Sequence, residues 1–206
     1  MSRPADPLAK PKLLLAAREE FSRAGVSEAR VEDIARRAGL SKGSFYLHFK
    51  SKEEAFQALL DHFLMDCAQF TEQCRPNLAG ARSVADVRDY FRAQDAQMLA
   101  FLWANRDILA VFYQAGASPQ YQHVLNAFLD AQAAEAVAQI RELQGRGLYR
   151  AALDPEVVAA CIVGFYHNLT RHLIAQRQRP DFAALAETTV TLILFGLSNH
   201  DHKVSD

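Results

Sequence analysis

Apolar residues recur along this chain at helical spacing. In residues 31–38, for example, Val31, Ile34, Ala35 and Ala38 fall at positions i, i+3, i+4 and i+7, which is one face of an α-helix. Glycine and proline are sparse, at 9 and 7 of 206 residues, and no stretch alternates as a strand does. The pattern therefore predicts an all-α chain.

Glycines, prolines and capping residues predict the ends of the helices. We expect Gly25 to end the first helix at positive φ, Gly39 to make the next turn and Ser41 to cap the third helix. Ser51, with Glu54 three residues later, is typical of a capping box for the fourth. The predicted helices cover about residues 8–24, 31–38, the stretch after Ser41, 51–74, 84–103, 106–115, 119–143, 155–176 and 182–197.

Side-chain spacing also predicts the buried faces of the first three helices. The stripe expected on the first helix is Leu14, Ala17, Phe21 and Ala24. Phe45 and Phe49 are four residues apart, so both are expected to turn inward. The outer face of the third helix then carries Lys42, Gly43, Ser44, Tyr46 and His48.

Charge is unevenly distributed, although the formal net charge is only −1. Residues 1–55 carry 11 Lys and Arg against 8 Asp and Glu, and the remainder carries 12 against 16. A basic module thus precedes an acidic one, as expected if only the first contacts phosphates.

The helix, glycine turn and helix in residues 26–54 have the spacing of a helix-turn-helix. Lys42 has the reach to donate to guanine O6 or N7, and Gly43, lacking a Cβ, allows close approach to base edges. The residues able to donate to phosphate oxygens are Ser44, Tyr46, His48 and Lys52. The alternative interpretation of these polar residues is that they form a solvated face on a small helical hairpin and do not contact DNA.

Residues 34–54, with the run SKGSFY at 41–46, resemble the signature of the TetR family of transcriptional regulators. Residues 16–17 and 21–25 match the preceding helix of that family, so the resemblance covers about residues 10–60. It implies an all-helical homodimer with an N-terminal three-helix DNA-binding module and a larger helical domain for effector binding and dimerisation. The resemblance also implies the family's usual mode of action, which is repression of transcription that a bound ligand relieves.

Carried onto this chain, the resemblance implies base-proximal contacts from Lys42 and Gly43. The residues it implies on phosphates are Ser41, Ser44, Tyr46, His48 and Lys52. Two positions depart from the family pattern: Arg30 stands where a Thr is frequent, and Leu47 stands where a polar or aromatic residue is frequent. Arg30 offers a longer cationic contact in place of a hydroxyl, and Leu47 offers an apolar contact to a thymine methyl.

Aromatic residues are dense in the second module and predict either a cavity for a hydrophobic or aromatic effector or plain core. The candidate pocket residues are Phe63, Cys67, Phe70, Phe101, Trp103, Phe112, Tyr113, His123, Phe128, Tyr166, His167 and Asn168. The last two helices combine small and apolar side chains, which let helices approach closely. This favours either a four-helix interface formed by two copies of the pair across a two-fold axis, or a pair that covers the seventh helix within one chain. The candidate dimer residues are Cys161, Phe165, Leu185, Thr189, Leu192, Ile193 and Gly196.

Other site classes are disfavoured by the sequence. Cys67, Cys74 and Cys161 lack the spacing of metal ligands, so we expect no metal site. The sequence also shows no nucleophile with a matched base and no glycine-rich phosphate loop. We therefore expect neither a cofactor nor enzymatic activity. Apolar runs fall short of the ~20 residues that span a bilayer, and without a secretory leader a cytoplasmic protein is expected.

The sequence therefore predicts a DNA-binding domain at 7–67 with its motif at about 30–49, an effector and dimerisation domain at 68–198, and flexible tails at 1–6 and 199–206. The predicted function is a ligand-responsive repressor on a palindromic operator. An activator, or a repressor that needs its ligand as corepressor, fits equally well. The alternative from another class is a helical small-molecule-binding protein that does not use its helix-turn-helix on DNA.

Overall fold

The computed structural model describes residues 7–74, 78–116 and 119–195, and within these ranges all regular structure is helical. The predicted all-α class is confirmed. The elements are α1 (Ala9–Glu28), α2 (Val31–Arg37), α3 (Lys42–Tyr46), α4 (Lys52–Cys74), a 3-10 turn (Leu78–Gly80), α5 (Val84–Ala104), α6 (Arg106–Gly116), α7 (Pro119–Gly145), α8 (Pro155–Ile174) and α9 (Phe182–Phe195). The predicted tails and Gly196 lie outside the described residues.

The helix ends lie within a few residues of the predicted ones. Gly25 has the positive φ expected, at 76°, and its backbone is not helical, so the first helical stretch of α1 ends there as predicted. What the sequence did not predict is a second, short helical stretch that follows this kink and continues to Glu28. Pro155 begins α8 as predicted, where Asp154 accepts hydrogen bonds from the backbone N–H groups of the first turn.

The chain divides into two compact units. The first contains residues up to Phe70 together with Asn105–Asn126, and the second contains Thr71–Ala104 and the residues from Ala127 onward. The predicted boundary at residue 67 differs from this division, because α6 packs on α1 and joins the first unit. Arg18 of α1 binds both carboxylate oxygens of Asp107, at 2.6 and 2.7 Å.

Aromatic side chains form the core of the first unit. Phe56 of α4 meets Phe21 edge to face, with ring centroids 5.5 Å apart, and meets Tyr121 in the same way at 5.0 Å. Leu13, not the predicted Leu14, is the fully buried leucine of α1. Ala17 and Phe21 are buried as predicted, but Leu13 and Ala16 are buried in place of Leu14 and Ala24, so the buried stripe of α1 is partly rotated from the expected one. It also includes Glu20, which is 1% exposed.

Two apolar clusters form the core of the second unit. One joins α5 to the last two helices through Leu99, Trp103, Leu173 and Ala186. The other joins the 3-10 turn to α5 and α7 through Leu78, Ala81, Val87 and Leu143. No helix among the described residues has the length and apolar character needed to cross a membrane.

Candidate nucleic-acid interface

A short glycine turn joins α2 to α3 and fixes the start of the second helix. Gly39 has φ +70°, a conformation that glycine adopts without steric cost. The N–H of Leu40 donates to the carbonyl of Ala35 at 2.9 Å. Ser41 then caps α3, because its Oγ accepts the N–H of Ser44 at 3.1 Å. The predicted turn and cap are both present.

Buried rings decide which face of α3 is turned outward. Phe45 is fully buried and Phe49 is 3% exposed, and their ring centroids lie 5.5 Å apart. Tyr46 and Leu47 consequently point away from this core and are 49% and 78% exposed. Two large apolar side chains in this position cost free energy in water, and contact with a partner would recover part of it.

Gly43 lies on the same exposed face and is not required by internal packing. A Cβ placed on Gly43 would meet Ser41 Oγ at 3.7 Å, an ordinary contact distance. Glycine is also a poorer helix former than alanine by about 1 kcal/mol. The absence of a side chain here therefore has no benefit within the fold itself, and it leaves the front of α3 open to close approach.

Lys42, also on this face, forms an ion pair across the turn. Its Nζ donates to Glu32 Oε1 of α2 and lies 6.0 Å from the centroid of the Tyr46 ring. Hydrogen bonding to Glu32 raises the pKa of Lys42 and lowers that of the carboxyl group. Sequence reasoning placed Lys42 outward but did not foresee this partner.

Lys52 has an internal role that the sequence did not predict. Its ammonium donates to the backbone carbonyl oxygens of Ser27 and Ala29, the latter at 3.1 Å. These carbonyls follow the kink of α1, so Lys52 ties the start of α4 to the α1–α2 connection. Its expected contact with a phosphate stays a prediction.

A buried carboxylate fixes α1 against α2. Glu20 accepts hydrogen bonds from Arg23 at 2.5 Å and from Arg37 of α2 at 3.4 Å. The hydrogen bond from Arg23 is the main cause that holds the pKa of Glu20 below its ordinary value. Arg37 also pairs with Glu19 at 3.2 Å. The i, i+3 spacing of Glu20 and Arg23 was visible in the sequence, but the burial of Glu20 was not.

The connection between α3 and α4 departs slightly from the predicted capping box. Ser51 Oγ accepts the N–H of Glu54 at 3.2 Å as expected, but Glu54 in return accepts the N–H of Lys50, one residue before the cap. Lys10 of α1 reaches this connection as well, with Nζ 5.8 Å from the Phe49 centroid. Sequence reasoning missed Lys10 as a cation near the interface.

The structure places the remaining predicted DNA-binding residues around α3. Arg30 and Ser41 are exposed and precede α2 and α3, whereas Ser44 and His48 are half-buried. All of these residues lie in α2, α3 or their flanking turns, so the structure gathers the predicted set on neighbouring elements. Their contacts with DNA stay a prediction.

The predicted pocket residues divide between the two units. The first unit holds Phe63, Cys67, Phe70, Phe112, Tyr113 and His123, and the second holds Phe101, Trp103, Phe128, Tyr166, His167 and Asn168. His123 and Asn168 are exposed, and the Asn168 amide donates to the carbonyl of Gly164 in its own helix. The exposure of both side chains, and the bond of Asn168 to its own helix, do not fit the role of a polar anchor inside a cavity. The pocket itself stays a prediction.

The second unit instead holds a buried polar site at Asp95 of α5. This carboxylate is 8% exposed and accepts hydrogen bonds from Tyr166 of α8 and from Thr189 of α9, the latter at 3.2 Å. Burial raises the pKa of Asp95 to about 6, although the two hydroxyl groups oppose that shift. Burial and the adjacent carboxylate raise the pKa of Tyr166, so its hydroxyl keeps the proton that it donates.

The candidate dimer residues differ in the surface that they offer. Cys161 is exposed, and Phe165, Leu185, Leu192 and Ile193 are half-buried. Thr189 is only 2% exposed, and its hydroxyl is used at Asp95, which leaves it little surface for a partner chain. Val157, which the sequence reasoning did not select, is 59% exposed one turn before Cys161.

Comparison with known proteins supports the assignment of the N-terminal helices. Residues 13–59 match the model of bacterial regulatory proteins of the tetR family. The chain is 29% identical over 187 residues to YdgC of Bacillus subtilis, an uncharacterized HTH-type transcriptional regulator, covering 90% of this chain and 91% of YdgC.

Solved structures show the same fold over nearly the whole chain. The fatty acid degradation regulator FadR from Bacillus halodurans superposes with a TM-score of 0.73 at 21% identity, covering 96% of this chain and 98% of FadR. FadR from Bacillus subtilis, solved in complex with stearoyl-CoA, superposes with a TM-score of 0.72 at 20% identity, covering 91% and 99%. The matched helix-turn-helix at residues 13–59, with similarity to transcriptional regulators over most of the chain, supports a DNA-binding transcription regulator of the tetR family.

Proposed function

We propose that this protein is a cytoplasmic homodimeric repressor that binds a palindromic operator and leaves it when a small hydrophobic or aromatic effector binds. The observation that carries the DNA-binding part is the outer face of α3. That face presents an ammonium group, an unhindered glycine and the exposed side chains of Tyr46 and Leu47, and the buried Phe45 and Phe49 pack behind it.

Each proposed contact follows from the reach and chemistry of its side chain. Lys42 and Gly43 lie at the front of α3, where a major-groove helix meets base edges, and Leu47 offers an apolar surface to a thymine methyl. Hydroxyl, imidazole and cationic groups around the motif suit phosphate oxygens. The residues proposed on phosphates are Arg30, Ser41, Ser44, Tyr46, His48 and Lys52.

Dimerisation is proposed through the last two helices. A single helix-turn-helix reads few base pairs, and a two-fold protein matches a palindromic site with half-sites about 34–36 Å apart. Val157 and Cys161 are one turn apart on α8 and exposed, so they extend the surface of the candidate residues Phe165, Leu192 and Ile193. An isologous contact between two such surfaces would bury them.

Control by an effector requires that the ligand bind one arrangement of the chain more tightly than the other. The division between the units falls inside α4, between Phe70 and Thr71, and inside α7, between Asn126 and Ala127. A displacement of either helix would therefore be carried along an unbroken helix into the first unit. The Arg18–Asp107 pair then ties α6 to α1. FadR from Bacillus subtilis, a protein of this fold, was solved in complex with stearoyl-CoA, whose acyl chain is apolar, and this supports an effector with a hydrophobic part.

Selection from a random duplex library tests the proposal. We expect enrichment of one palindrome with half-sites one helical turn apart, bound by two chains in native mass spectrometry and released by a ligand that co-purifies or is found by screening. Enrichment only in the presence of the ligand would replace the repressor assignment by a corepressor-dependent one. A failure to enrich any sequence with or without ligand would contradict DNA binding and favour a small-molecule-binding protein.

A further inference from the structure

A carboxylate of α2 holds the cation at the front of α3. The Glu32 and Lys42 side chains form an ion pair across the turn and are both more than half exposed, at 56% and 53%. Glu32 lies in the first turn of α2, where the positive end of the helix dipole favours its charged form. The pair is thus present at the surface that we propose faces DNA.

This arrangement affects two kinds of DNA contact differently. A phosphate that approaches Lys42 also approaches the Glu32 carboxylate, and the two anions repel. A guanine edge offers the ammonium two acceptors, O6 and N7, without a net charge. Glu32 therefore disfavours a contact between Lys42 and phosphate more than a contact between Lys42 and a base.

We propose that Glu32 is a positioning residue for sequence discrimination, which withholds Lys42 from the phosphates of non-operator DNA and directs it to base acceptors. Specificity then arises partly by weakening the wrong contact. The inference rests on the proposed function, because it takes α3 as the helix that reads DNA.

Asp33 provides a matched control for this idea. It lies in the same first turn of α2 and also forms an ion pair, but its partner is Arg36 of the same helix, at 2.6 Å. Asp33→Asn and Glu32→Gln remove the same charge from the same turn. Only Glu32→Gln releases Lys42.

The experiment measures binding to the selected operator and to a random-sequence duplex by fluorescence anisotropy at several salt concentrations. For Glu32→Gln we expect affinity for the random duplex to rise about three- to tenfold and its salt slope to steepen by about one, as for one further phosphate contact. Operator affinity should change less than about twofold, so the ratio of the two affinities falls. Asp33→Asn should leave that ratio within about twofold of the parent value.

A double variant separates action through Lys42 from direct repulsion of phosphates. In a Lys42→Ala background, Glu32→Gln should change affinity for the random duplex by less than about twofold. An equal or larger gain in that background would mean that Glu32 acts on phosphates directly and would overturn its positioning role. Unchanged thermal unfolding of the Glu32 variant checks that the fold is intact.

The outcomes distinguish this inference from the proposed function. If the parent protein enriches no operator, DNA-specific regulation fails whatever Glu32→Gln does to the random duplex. If an operator is enriched and Glu32→Gln leaves both the affinity ratio and the salt slope unchanged, the role of Glu32 fails alone.

Discussion

The outer face of α3 in the first unit and the Asp95 site of α5 in the second each hold polar side chains, and they are built in opposite ways. On α3, Lys42 meets Glu32 in an ion pair that is more than half exposed, and such exposed pairs add little to stability because water and salt screen them. Asp95 is 8% exposed and accepts hydroxyl groups from two other helices. Leaving such buried groups unpaired costs about 1–3 kcal/mol each.

This difference in exposure and bonding indicates a binding role for the α3 face and a structural role for the Asp95 site. An exposed pair exchanges its partner at little cost, so the α3 face is available to an external ligand. The Asp95 contacts connect α5, α8 and α9 inside one unit, and breaking them disturbs how those helices pack. Substitutions on α3 should therefore change binding more than stability, and substitutions at Asp95 should change stability first.

The largest expected effect is the pH dependence caused by Asp95. Its ordinary pKa is 3.8 and burial raises this to about 6. Between those values the folded chain binds more protons than the unfolded chain, so this group's contribution to stability falls as pH rises and stays low above pH 6. The shift corresponds to roughly 3 kcal/mol.

Asp95→Asn removes this dependence and keeps an acceptor for Tyr166. Urea unfolding from pH 4 to 7 should show the parent protein losing stability relative to the variant by about that amount. A constant difference across the range would contradict a protonated Asp95 at low pH. The comparison with the variant is needed because other carboxyl groups, such as Glu20, have lowered pKa values and act in the opposite direction at lower pH.

Lys42→Ala should weaken operator binding by about 1–3 kcal/mol and affect random DNA less, because the lost contact is with a base. Gel-shift titrations against both duplexes measure the two losses. Equal losses would rule out base readout by Lys42. Stability should change by less than about 0.5 kcal/mol, since the side chain is exposed.

Lys52→Met separates a phosphate contact from an internal one. The loss of the two hydrogen bonds to Ser27 and Ala29 should lower the free energy of unfolding by about 1–2 kcal/mol. If Lys52 also contacts a phosphate, the salt slope of DNA binding flattens by about one. Lys50→Met, two residues earlier on an exposed side chain, is the matched control and should leave stability within about 0.5 kcal/mol.

The smallest effect is expected for the Arg18–Asp107 pair. A double-mutant cycle with Arg18→Gln and Asp107→Asn should give a coupling energy of about 0.5–1 kcal/mol in denaturant unfolding, because the pair is bidentate but part-exposed. A coupling near zero would mean that the pair does not hold α6 to α1. The exposed Arg36–Asp33 pair within α2 should give about half as much or less.

Local rules were enough to predict the α3 face. The cap at Ser41, the turn at Gly39 and the inward Phe45 and Phe49 each depend on neighbours a few residues away, so the sequence contains what determines them. The hydrogen bonds of Asp95 join residues 71 and 94 positions apart, and no periodicity indicates which helices meet there. The packing of α6 on α1 likewise depends on distant residues, such as Arg18 and Asp107, which are 89 positions apart.

Thr189 and Tyr166 illustrate the same limit at single residues. Their types suited an interface and a pocket anchor, and both predictions followed from composition on one helix face. Only the packing of α5 against α8 and α9 reveals a shared carboxylate. The rotated stripe of α1 has a related cause, because spacing fixes the periodicity of a buried face but leaves its phase to the partner helix.

Gly43→Ala tests most directly whether α3 is shaped for DNA rather than for its own fold. The added Cβ meets Ser41 Oγ at an ordinary 3.7 Å, and alanine favours the helix by up to about 1 kcal/mol. We predict that urea unfolding shows equal or greater stability while operator affinity falls by about tenfold or more, from loss of close approach to the bases. Unchanged operator affinity in a variant of undiminished stability would contradict the account.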